Sequence, residues 1–66
     1  PYFPGFEYNP NDVRFIGSPV DLIIFDGLSD GHLKCITFAE VKTGDSTLTG
    51  RQRQVGDIIK EGKVTW

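Results

Sequence analysis

A chain of 66 residues is long enough for one small domain and sits near the lower limit at which a single core is self-sufficient. Seven basic against nine acidic residues give a net charge of -2, which argues against a protein that holds nucleic acid by bulk electrostatics. The lone cysteine, Cys35, excludes a disulfide framework and a cysteine-built zinc site.

Residues 1–12 form an arm rich in proline and aromatic side chains, with Tyr2, Phe3, Phe6 and Tyr8 expected to pack over a sheet rather than to build a regular element. Val13 to Ile16 can form a short strand, and Gly17-Ser18-Pro19 a turn. Pro19 restricts Ser18 to extended backbone and sets the approach to the next strand. Two apolar runs follow, residues 20–26 and 35–42, rich in β-branched and aromatic side chains. Gly27, Asp30 and Gly31 lie between them, so the pair reads as a β-hairpin. Asp26 and Asp30 are expected to hydrogen-bond local backbone in the turn, His32 to face solvent at its tip, and Cys35 to be a buried small side chain.

Within the hairpin, Asp21 opens one strand and Glu40-Val41-Lys42 ends the other. Residues two apart on a strand share a face, so Glu40 and Lys42 point the same way. In an antiparallel pair the numbers of facing residues add to a constant, and a turn centred near Ser29 or Asp30 puts that sum at about 59 to 61. An odd sum brings Asp21 onto the face of Glu40 and Lys42, whereas an even sum keeps the three apart. Two carboxylates and an ammonium so arranged look like a metal-dependent phosphodiesterase site. The same residues could also make an ordinary cross-strand ion pair at a sheet edge.

Residues 13–48 therefore hold the strands and loops, and residues 49–62 a helix. Thr49 followed three places later by Gln52 matches a capping box, so the helix should begin at about Gly50. Gly62 is a natural stop, with Lys60 in the last turn, where the macrodipole favours a cation. Gln52, Val55 and Ile59 fall on one face, which sets a glutamine on an apolar stripe and aims it at the strand end carrying Lys42. Residues 63–66 read as the start of a further strand. Residues 1–41 carry two basic residues against six acids, and residues 42–66 five against three, an asymmetry that suits an acidic metal pocket beside a cationic shoulder.

The stretches Ser18-Pro19-Val20-Asp21, Phe38-Ala39-Glu40-Val41-Lys42-Thr43-Gly44 and Leu48-Thr49-Gly50-Arg51-Gln52 together resemble the PD-(D/E)XK nuclease superfamily. Within it they are most similar to endonucleases related to archaeal Holliday junction resolvases. The resemblance covers roughly residues 13–66. It implies an α/β (α+β) fold with a restriction-endonuclease-like core: a mixed sheet with a central antiparallel hairpin and a flanking helix.

The resemblance also implies Mg2+, for which Mn2+ can substitute, held by Asp21, Glu40 and the carbonyl of Val41. Lys42 matches the lysine that positions or deprotonates the attacking water, and Gln52 a helix glutamine that orients Lys42 or a phosphate. The catalytic set is then Asp21, Glu40, Lys42 and Gln52, and the substrate DNA, branched or junction DNA included. Arg51, Arg53 and Lys60 are expected to contact the nucleic-acid backbone, a reading of charge alone.

In the resolvases a helix before the sheet supplies another acid. That helix is absent from these 66 residues, and Glu7 and Asp12 are poor substitutes. The chain is therefore expected to be one partial domain, with a homodimer partner or a larger parent chain covering the open sheet face. An intracellular location, cytoplasmic or nucleoid, fits the single cysteine, and no stretch approaches the ~20 apolar residues of a membrane-spanning helix. An anchor outside the chain is compatible with this. The competing reading is a catalytically inactive nucleic-acid-binding or oligomerisation module that keeps the nuclease-like core.

Overall fold

The computed structural model describes residues 7–41 and 47–66. A 3-10 turn, Pro10–Asp12, leads into three strands and a helix: β1 (Val13–Phe15), β2 (Leu22–Asp26), β3 (Cys35–Ala39) and α1 (Gly50–Lys60). The strands form one sheet in the order β1-β2-β3, antiparallel throughout. This is the α+β arrangement expected, with the β2-β3 hairpin at its centre; a mixed sheet would need a parallel strand in addition to those described. Lys42 lies outside the described residues, as does the arm through Phe6.

Side-chain alternation places the core. Leu22 and Ile24 of β2 are almost fully buried, and Val20 just before the strand is buried as well. Between them Ile23 and Phe25 point the other way and are half-buried. The buried face continues onto Thr37 and Ala39 of β3, which lie opposite Ile24 and Leu22. Large apolar side chains also remain in water: Phe15 is 66 % exposed and Ile36 51 %. So small a core is what a 66-residue chain can supply.

The hairpin loop is held by glycine geometry and by one buried acid. Gly27 has φ 95°, and a Cβ there would sit 2.1 Å from the carbonyl oxygen of His32, so only glycine fits. Asp12 is 3 % exposed. Its Oδ2 accepts the Gly27 N–H at 2.9 Å and its Oδ1 the Ser29 N–H at 2.8 Å, with the Ser29 hydroxyl also donating to Oδ1. The Ser29 hydroxyl, then the N–H groups of Ser29 and Gly27, hold this carboxyl below its ordinary pKa. The sequence gives Asp12 no such task, because its partners lie fifteen and seventeen residues on.

Cys35 corrects an expectation: it is exposed, not buried. Although it stands on the face of Leu22 and Ile24, it starts β3 at the loop end of the sheet, opposite Asp26, where burial has faded. His32 is exposed as expected. Residues 63–66 follow the helix without joining the sheet, whereas the sequence suggests the onset of a strand there.

Helix α1 is capped at both ends as its sequence predicts. Thr49 and Gln52 form the reciprocal capping box. At the other end Gly62, φ 73°, donates to the Ile59 carbonyl while Lys63 donates to that of Ile58, the pairing of a Schellman motif. Gln52, Val55 and Ile59 are half-buried on one face, and with Val20, Phe38 and Leu48 they line a cavity of about 150 Å³ between helix and sheet. No helix among the described residues is long and apolar enough to cross a membrane.

Candidate active site

The hairpin register decides whether the two acids can meet. Leu22 faces Ala39, Ile23 faces Phe38 and Ile24 faces Thr37, so the facing numbers add to 61, an odd sum. Asp21 and Glu40 are the residues next beyond the last pair of that ladder, Leu22 and Ala39, at the same end of the sheet. Asp21 is fixed from both sides: its carbonyl accepts the N–H groups of Ile16 and Gly17 at 2.8 and 3.1 Å, and its Oδ2 accepts the Val41 N–H at 2.8 Å. The first pair ties Asp21 to the end of β1, and the second ties its side chain to the end of β3.

Glu40 is held from above by the helix. Gln52 donates from Nε2 to Glu40 Oε2 at 2.7 Å. The other end of the same amide serves the cap, where Gln52 Oε1 accepts the Thr49 N–H at 2.9 Å and Thr49 Oγ1 accepts the Gln52 N–H at 3.2 Å. Gln52 sits in the first helical turn, above the strand end, as the apolar stripe demands. Among the described residues it donates to Glu40 at the strand end toward which the sequence aims it; its expected partner Lys42 lies outside the described residues.

Asp21, Glu40 and Gln52 line one open cleft of about 600 Å³, together with the Gly17-Ser18-Pro19 turn, Thr49, Arg51 and Gln54. The Ser18–Pro19 peptide in that turn is cis. Of the three cations expected to face a polyanion, only Arg51 lines the cleft. At about 100° per residue, Arg53 and Lys60 share a helical face, and Arg51 lies across the helix from them. All three are exposed, but they do not form a single stripe.

The donor chemistry suits a hard divalent cation, which takes carboxylate and carbonyl oxygens and keeps several waters. Among the described residues, no group of three or more His, Cys, Asp or Glu side chains is placed to hold a metal; Asp21 and Glu40 are the carboxylates that line the cleft among them. Asp12, Asp26, Asp30 and His32 line a separate hollow at the far end of the hairpin, and Asp12 there is already saturated by the loop.

No curated protein and no solved structure matches the chain. A family model described as endonuclease related to archaeal Holliday junction resolvase matches residues 1–66. Because that match runs over every residue, the chain belongs to this family of resolvase-related endonucleases.

Proposed function

We propose that the cleft is the centre of a magnesium-dependent endonuclease that hydrolyses DNA phosphodiester bonds, with branched or junction DNA as its substrate class. The observation that carries this reading is the odd register, which leaves Asp21 and Glu40 just beyond the paired Leu22 and Ala39 at one sheet end, where both line a cleft with Gln52 and Gln52 hydrogen-bonds Glu40. The family to which the chain belongs supports the reaction class and a DNA substrate.

In this reading Asp21, Glu40 and the Val41 carbonyl hold the cation. The Val41 N–H on Oδ2 of Asp21 would hold that carboxylate in place for the cation. When bound, a divalent cation polarises a phosphate oxygen and lowers the pKa of a coordinated water. Lys42, next along the chain from Val41, positions the attacking water or stabilises charge on the phosphate as it becomes five-coordinate. Gln52 keeps Glu40 oriented. Arg51 contacts a phosphate at the rim, and Arg53 and Lys60 meet the backbone elsewhere along the substrate.

The test uses the complete protein with labelled duplex and four-way-junction DNA. Asp21→Ala, Glu40→Ala and Lys42→Ala should each abolish magnesium-dependent cleavage while circular dichroism shows an unchanged fold. Full activity in any of the three removes that residue from the mechanism. DNA binding without metal-dependent turnover in the unmutated protein would favour a non-catalytic module instead.

A further inference from the structure

We infer that Thr49 is a positioning residue for the metal-binding carboxylate: acting through Gln52, the N-terminal cap of α1 fixes the orientation of Glu40. This rests on the reading of the cleft as a metal-dependent site.

The inference follows from donor and acceptor chemistry. A primary amide has one accepting end and one donating end. The Thr49 N–H can only donate, so it requires Gln52 Oε1 at 2.9 Å. Glu40 Oε2, a carboxylate oxygen, can only accept, so it requires Nε2 at 2.7 Å. The two demands agree on a single orientation of the amide and leave no flipped alternative. Thr49 Oγ1 closes the ring by accepting the Gln52 N–H at 3.2 Å, which fixes the backbone from which the side chain springs. Gln52 thus bridges the N-cap and the carboxylate.

The arrangement is more than a capping box. A cap alone uses Oε1 and leaves the amide donors to water. Here Nε2 donates to Glu40, which lines one cleft with Asp21 and with Thr49 itself. Helix docking and carboxylate placement are consequently one event, and loosening the cap should loosen Glu40. Residues that orient metal ligands typically change metal affinity or activity by about 10-fold to 100-fold when removed.

The experiment uses the complete protein with Thr49→Ala, Thr49→Asn, Gln52→Met and Asp21→Ala. In the metal-free protein, the Gln52 side-chain amide protons are followed by NMR. They should show hydrogen-bonded shifts in the unmutated protein and in Thr49→Asn, whose side chain also caps, and should move toward free-amide values in Thr49→Ala. Calorimetric titration with Mn2+ should then show affinity weakened about 10-fold in Thr49→Ala and Gln52→Met, and restored in Thr49→Asn. Wild-type Mn2+ affinity and unchanged Gln52 amide shifts in folded Thr49→Ala would reduce Thr49 to a structural cap and overturn the inference. Loss of Mn2+ binding in Asp21→Ala alongside that result would leave the metal site standing. Retention of binding in Asp21→Ala would instead refute the site and the inference together.

Discussion

Gln52 and Glu40 meet through a 2.7 Å hydrogen bond that joins the first turn of the helix to the end of β3. The contact links β3 to α1, and it gives the glutamine on the apolar face of α1 a polar partner. Asp21 reaches the same strand end from the other side, by accepting the Val41 N–H. The two acids are therefore positioned by different devices, one by the helix and one by the hairpin.

The cap should be measurable as stability. Replacing an N-cap threonine by alanine costs about 0.5–2 kcal/mol, whereas asparagine is an equal or better cap. Thr49→Ala should lower the urea midpoint of the complete protein, and Thr49→Asn should leave it nearly unchanged. Equal midpoints for the two variants would mean that the reciprocal bonds to Gln52 do not support the helix.

Two glycines of the hairpin loop should respond differently to a methyl group. Gly27 and Gly31 both have positive φ, 95° and 76°. An added Cβ at Gly27 meets the His32 backbone, while at Gly31 it meets open space. Gly31→Ala should therefore cost only the left-handed backbone penalty of about 1–2 kcal/mol, and Gly27→Ala distinctly more. Thermal unfolding of the pair tests the ordering.

The pH dependence of stability should carry the signature of Asp12. The loop donors depress its folded pKa below the ordinary 3.8. Such a group stabilises the fold fully above the unfolded value and loses that contribution as pH falls through the depressed folded value. Asp12→Asn should destabilise the protein at pH 7 and should approach the parent in stability below about pH 4. A stability difference that stays constant from pH 7 to pH 3 would remove Asp12 as the loop anchor.

Burial along the hairpin sets the cost of truncation. Ile24 is 1 % exposed and Ile36 51 %. Ile24→Ala should cost about 2–5 kcal/mol, much of the stability of so small a core, and Ile36→Ala far less. Denaturant titration of the two variants distinguishes them.

Local patterns explain why parts of this structure are legible in the sequence. Thr49, Gln52 and Gly62 mark the helix ends because capping is satisfied within a few residues. The register is legible only to within a residue or so, since turn residues near Asp30 constrain the pairing of β2 with β3 without fixing its parity, and the structure selects the sum of 61. Nothing local reveals Asp12, whose side chain closes a loop fifteen residues away. The hydrogen bond from Gln52 to Glu40 is equally hidden, because it depends on how the helix docks on the sheet. Cys35 is exposed within a run that suggests burial, because an apolar run does not say where along a strand burial ends.

The central claim is that Asp21 and Glu40 converge on one divalent cation. Anomalous diffraction from crystals of the complete protein soaked in Mn2+ tests it most directly. One peak within coordinating distance of carboxylate oxygens from both residues, and lost in Glu40→Ala, is the predicted result. Mn2+ bound elsewhere, with Asp21 still on the Val41 N–H and Glu40 still on Gln52 and neither touching the ion, would contradict it.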